Sequence, residues 1–148
     1  MIVISHRGNT NGRNEIYENN PLCIEWTLSR GYDVEVDVWC DEKNNRLSLG
    51  HDYPQYSIKK KWLNENKKHL WCHAKNLAAL FWLSQKSGYR FFWHQKDDFT
   101  LTSNGIIWTY PNKEITKNSI IVAKTKPETL FYAQKEIYGI CTDYPECV

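Results

Sequence analysis

YDVEVDVWC, Tyr32 to Cys40, is the stretch on which the fold of this chain turns. Val34, Val36 and Val38 point one way and Glu35, Asp37 and Trp39 the other, which is the two-residue period of a strand. With the valines packed under helices, the two carboxylates face the inside of a curled parallel sheet. On an antiparallel edge strand the same alternation puts the acids in water, and alternation alone favours that second arrangement. The rest of the chain has to decide.

Upstream, Ile2 to Ser5 is a short β-branched run that delivers His6-Arg7-Gly8 to the polar loop NTNGRN. Asn20 then reads as a helix cap with Pro21 in the first turn, and Leu22, Trp26 and Thr27 share a helical face before Gly31. Downstream of the valine strand, DEKNNR makes a turn and LSLG returns to His51-Asp52. Ser57 to Lys68 is a lysine-rich connector with one short amphipathic helix around Trp62-Leu63. Strands follow at LWCHAK (Leu70 to Lys75), RFFWHQK (Arg90 to Lys96), SIIVAK (Ser119 to Lys124) and GICTD (Gly139 to Asp143). Helices are expected over Asn76 to Ser87 and Pro127 to Tyr138. Asp97 to Asn118 shows no helical pattern, only the strand-like GIIWTY.

Strands alternating with helices make a mostly parallel sheet, either open and doubly wound or closed into a barrel. The ionisable residues His6, Glu35, Asp37, His73, Lys75, His94, Lys96 and Asp143 all fall at the carboxyl ends of strands, the edge where both architectures build active sites.

The chain of 148 residues fits one domain over 1–148. Its net charge of +2 gives no overall field for nucleic acid or an anionic membrane, and no apolar run reaches membrane-spanning length, so a soluble, cytoplasmic protein is expected. Five cysteines without CxxC spacing read as reduced, half-buried thiols. Seven tryptophans scattered along the chain read as packing.

Glu35 and Asp37, at i and i+2, lie about 7 Å apart at the Cα level, close enough for both to reach one divalent cation. The same spacing recurs in His73/Lys75 and His94/Lys96. Three strands with ionisable residues on one face make a poor core, and a shared polar site accounts for all three.

The series SHRGN, YENN (Tyr17 to Asn20), RGYDVEVDVW, LGHD (Leu49 to Asp52) and GICTDYPE resembles, in order, the signature series of the glycerophosphodiester phosphodiesterase family, and it spans Ser5 to Glu146. The resemblance implies a shortened TIM-like (β/α) barrel with reduced helices and its active site at the C-terminal ends of the strands. It implies His6 and His51 as an acid and base pair, Arg7 as a phosphate clamp, and Lys75 facing the phosphate. Glu18 and Asn19 would be part of the loop that supports the site, Asp143 would belong to the terminal strand motif, all three on the substrate side, and Glu35 and Asp37 would hold calcium or magnesium. These residue types suit the chemistry: a diester anion needs charge neutralisation on its non-bridging oxygens, and two histidines can pass protons near neutral pH.

Three departures from the family pattern stand out. His73 occupies the place of a third acidic ligand, which softens the site toward manganese or zinc. The chain is far shorter than the roughly 250 residues of a full barrel, so helices must be missing, with Asp97 to Asn118 the expected place. The loop after His6-Arg7-Gly8 is unusually long and polar. His94 and Lys96 either line the substrate pocket or belong to a plain polar loop, and Trp108 with Tyr110 either covers a headgroup or packs in the core, the latter being the commoner use of such rings. The implied function is metal-dependent hydrolysis of a glycerophosphodiester or similar small headgroup diester, with no nucleic-acid partner. Two other readings stay open: a catalytically weak phosphate-binding homologue that has lost its third acid, and a zinc-dependent nuclease, against which the low net charge counts.

Overall fold

A computed structural model describes residues 1–148. In chain order the elements are β1 (Ile2–His6), α1 (Pro21–Ser29), β2 (Asp33–Asp41), β3 (Arg46–Leu49), β4 (Tyr56–Ile58), α2 (Lys60–Asn66), β5 (Leu70–Ala74), α3 (Leu77–Ser84), β6 (Arg90–Trp93), β7 (Phe99–Leu101), β8 (Ile107–Thr109), β9 (Ser119–Ala123), α4 (Lys126–Tyr132) and β10 (Gly139–Thr142), closed by a 3-10 turn at Pro145–Cys147.

Parallel pairing runs β6-β5-β2-β1-β10-β9-β8. The hairpin β3-β4 adds antiparallel to the second half of β2, and β7 adds antiparallel to β8. The resulting ten-stranded sheet curls until its ends touch. At the seam, Ser103 N donates to Phe91 O at 2.8 Å, Phe91 N donates to Ser103 Oγ at 3.0 Å, and Thr100 Oγ1 donates to Trp93 O at 2.9 Å. The Phe92 and Trp108 rings stack across it at 4.4 Å, and no strand ladder joins β6 to β7 or β8.

Val34, Val36 and Val38 lie outside this curl, fully buried with Ile24 of α1, Ala79 and Leu83 of α3, and Leu70 and Cys72 of β5. Each such side chain contributes about 1.5–3 kcal/mol by leaving water. A second cluster fills the inside: Ile4, Trp71, Phe92, Trp108, Ile120, Val122 and Cys141. The edge-strand alternative for Tyr32 to Cys40 is thereby overturned, since Glu35 and Asp37 are buried against that interior rather than solvated.

The lower end of the interior is closed by a polar plug around Asp33. His69 Nδ1 meets Asp33 Oδ1 at 3.0 Å, while Trp71 Nε1 and Arg90 NH1 each donate to Asp33 Oδ2 at 3.0 Å. The Arg90 guanidinium also lies 4.3 Å over the Trp71 ring.

Several sequence expectations need correction. Helix α1 buries Ile24 and Thr27, whereas Leu22 and Trp26 are exposed; the sheet is met by the face one residue round from the one expected. Helices α3 and α4 stop at Ser84 and Tyr132, short of Ser87 and Tyr138. The polar connector contains a strand, β4, that pairs with β3. Strand β6 ends at Trp93, so His94 and Lys96 follow the strand instead of sitting on it. No helix lies between Asp97 and Asn118, as expected; β7, β8 and turns take that span. All five cysteines are free thiols, and burial pushes the Cys72 thiol up to about 12. No helix is long and apolar enough to cross a membrane.

Candidate metal centre and cleft

The carboxyl ends of the parallel strands converge on a cleft of ≈ 380 Å³ lined by groups from almost every strand. Register sets its membership: His6 sits opposite Glu35, and Asp37 opposite His73. The floor is apolar, made by Phe92, Trp108 and Val122, and the walls carry His6, Arg7, His51, His73, Lys75, His94 and Lys124.

Glu35, Asp37 and His73 are all buried, with one ligand atom of each within 4.8 Å of the others. His73 Nδ1 is 3.1 Å from Asp37 Oδ1 and 3.8 Å from Glu35 Oε1. Its other nitrogen, Nε2, lies 3.1 Å from the His94 carbonyl, which can only accept, so Nε2 carries a hydrogen. In the neutral ring, Nδ1 therefore turns a lone pair toward two carboxylates, and either a second proton or a cation must stand between them. Backbone carbonyls fix metal-ligating histidines in this way. Glu35 Oε2 and Asp37 Oδ1 are buried without a hydrogen-bond donor, an uncommon condition for a carboxylate oxygen. Two hard oxygens, one imidazole and these orphaned atoms fit a divalent cation.

The two acids are driven apart in proton affinity. Burial, and next the Asp37 charge, raise the Glu35 carboxyl well above the usual range. Burial would raise Asp37 also, but a His73 ring that carries the second proton, Arg7 and Lys75 outweigh it and hold Asp37 far below that range. Lys75 Nζ stands 3.5 Å from Asp37 Oδ1.

Around this centre the His6-Arg7-Gly8 turn is rigidly braced. Arg7 and Asn19 both adopt left-handed backbone, φ 55° and 61°, joined by a bond from Asn19 N to Arg7 O at 2.9 Å. Asparagine takes that conformation readily, whereas an arginine holds it only where its surroundings favour it. Arg7 NH1 donates to Glu18 Oε2 at 3.1 Å, and its Nε lies 3.0 Å from Asp37 Oδ2. Asn19 clasps Asp37 twice, Nδ2 donating to Oδ2 at 2.8 Å and Oδ1 accepting from Asp37 N at 2.9 Å. Glu18 and Asn19 thus stand behind the cleft and orient the residues that line it.

Each of the two candidate acid–base histidines is backed by a carboxylate. Asp143 Oδ1 lies 2.8 Å from His6 Nδ1, and Asp52 Oδ1 lies 2.7 Å from His51 Nδ1. A carboxylate accepts, so Nδ1 carries the hydrogen in both neutral rings and Nε2 is left free. His6 Nε2 is 4.0 Å from Glu35 Oε2. Burial, with help from Arg7 and Lys75, lowers the His51 pKa. Burial opposes ionisation of Asp143, but His6 and Asn9 prevail and lower its pKa. Gly50 makes the His51 turn possible: a Cβ there would stand 2.0 Å from Tyr53 O.

His94 is buried beside the site and stacks on Tyr110 at 3.5 Å. Trp108 is buried in the floor, and Lys96 is exposed outside the lining. Two residues had no role in the sequence reading. Asn9 bridges Glu18 (3.0 Å) and Asp143 (2.7 Å), a link across 134 residues that no local pattern announces. Lys124 ends SIIVAK as Lys75 ends LWCHAK, and that parallel was a usable signal.

The fold has a solved counterpart. Over 98% of this chain and 94% of its own, the crystal structure of "a putative glycerophosphodiester phosphodiesterase from Galdieria sulphuraria" is similar, with a TM-score of 0.59 and 10% identity. At that identity the likeness is one of fold. No family model and no curated protein matches the sequence.

Proposed function

We propose that this protein is a metal-dependent phosphodiesterase that hydrolyses a glycerophosphodiester or a similar small headgroup diester. One observation carries the reading: the Glu35, Asp37 and His73 group shares a cleft with two carboxylate-backed histidines and with Arg7 and Lys75. Glu35, Asp37 and His73 would hold a divalent cation, which when bound supplies charge neutralisation to a phosphate oxygen.

The chain's own groups supply the rest. Arg7 stays charged, because Asp37, Glu35 and Glu18 outweigh the burial that would discharge it, and its planar donors suit phosphate oxygens. Lys75 adds a second cation. Of His6 and His51, each free at Nε2, one takes a proton from the attacking water, or from a neighbouring substrate hydroxyl whose cyclic product water then opens, and the other gives one to the departing alcohol. Glu18, Asn9 and Asn19 hold Arg7, Asp143 and Asp37 in place, which keeps the site preorganised.

Purified protein with magnesium, calcium or manganese should cleave glycerophosphocholine or bis(4-nitrophenyl) phosphate. Failure to cleave any diester with any of these metals overturns the proposal. His73 gives a second reading, a phosphate-binding homologue of low turnover, a specific reason being that imidazole replaces a charged ligand. In that case His73→Asp raises the rate, whereas robust wild-type turnover with no gain removes it.

A further inference from the structure

Resting on the phosphodiester reading, we infer that the cleft continues past the reacting centre into an anion subsite built on Lys124, and that the favoured substrate carries a second anionic group on its alcohol. Residues His6, Asp143 and Lys124 each follow a registered row, since Ser5 pairs with Thr142 and Thr142 with Ala123. Lys124 therefore stands on the same rim as His6, one strand beyond Asp143. The neighbouring acids are already engaged. Asp143 Oδ1 takes His6 and Asn9, and Glu128 Oε2 accepts from the backbone N–H groups of Lys124 and Thr125, each at 3.0 Å. Those two bonds belong to the capping box that opens α4, so the Lys124 backbone is fixed at a strand-to-helix junction.

Arg7 and Lys75, the other permanent cations of the cleft, face Asp37, but no acid pairs with the Lys124 ammonium. Glu35 is the single carboxylate among the lining residues, so nothing on the Lys124 side would hold a cationic headgroup by charge. The stacked rings of the walls form no cage for one either, and Trp93 packs toward the outer cluster under the helices. His94 lies on Tyr110 at 3.5 Å, and Phe92 is sandwiched between His73 at 5.0 Å and Trp108 at 4.4 Å, which occupies the ring faces that a quaternary ammonium would need. What remains on the cleft rim is the exposed ammonium of Lys124, with unfilled donors, and elsewhere on the lining the exposed amide of Gln95, groups that suit a phosphate or carboxylate.

Calorimetric titration with glycerol 1,3-bisphosphate and glycerol 3-phosphate tests this without turnover. The bisphosphate should bind about tenfold tighter, as a charge-assisted contact provides. That margin should vanish in Lys124→Ala, survive in Lys124→Arg, and shrink as salt rises. Equal affinities, or a margin that survives Lys124→Ala, overturn the subsite. In turnover, a diester bearing a second phosphate should outpace glycerophosphocholine in kcat/KM by a similar factor. Cleavage of both diesters at equal kcat/KM rejects the subsite and leaves the phosphodiesterase reading standing. A tenfold binding margin with no cleavage of either diester does the reverse.

Discussion

Strand β2 presents three acids to the interior, Asp33, Glu35 and Asp37, and its two ends treat them in opposite ways. At the lower end Asp33 has donors on both oxygens, from His69, Trp71 and Arg90. At the upper end Glu35 Oε2 and Asp37 Oδ1 are buried with none, although a histidine and two permanent cations stand close by. Both clusters are made from similar residue types on the same strands. A finished hydrogen-bond inventory marks a plug, and an unfinished one marks a place where something is meant to arrive.

The largest effects come from the unfinished end and should leave the fold intact. His6→Ala should lower kcat on a diester about 10²- to 10⁴-fold, with little change in thermal midpoint. A large loss of stability beside the loss of rate would break the contrast, because His6 would then be structural. Glu35→Gln should weaken cation binding by about 100-fold or more, measured by calorimetry. The same change should leave the metal-free protein as stable at neutral pH, or more so. The sign follows from Glu35's raised pKa: ionising the buried carboxyl costs stability as pH rises above its unfolded value through its higher folded one, and glutamine removes that cost. Below the ordinary carboxyl range wild type and variant should converge.

Asp33→Asn is the counterpart at the finished end. It should cost about 1–3 kcal/mol, seen as a lower urea midpoint, while cation affinity holds. The smallest effect is at Asp143, whose lowered pKa supports the fold above the unfolded carboxyl value and ceases to as pH falls through the folded one. Asp143→Asn should flatten that acid limb by about 1 kcal/mol. An unchanged limb would place the acid sensitivity elsewhere.

Much of this was legible along the chain. The period of two in Val34, Val36 and Val38 separates the outer wall from the interior, and the lack of helical spacing between Asp97 and Asn118 foretells a helix-free span. The resemblance of short motifs indicated His6, Arg7, His51 and the β2 acids together. Asp33 shares their parity, but its finished state depends on His69 and Arg90, which are remote in sequence and carry no pattern of their own. Strand β4 escaped because three residues pairing through backbone groups leave no side-chain period. The buried face of α1 was misread because Leu22 and Trp26 are exposed apolar residues, which surfaces tolerate.

The seam of the curled sheet gives the cleft an adjustable side. A cylinder joined all round by a ladder resists a change of bore, since many backbone bonds must stretch together. Between β6 and the β7-β8 hairpin only four hydrogen bonds and two ring stacks, Phe92 on Trp108 and His94 on Tyr110, have to part for the two walls to separate, while β1, β2 and β5 keep their pairing. Amide exchange should run fastest over Phe99 to Thr109 and slowest in β2 and β5, so that the molecule breathes from the Tyr110 side and stays rigid where Glu35, Asp37, His73 and His6 sit.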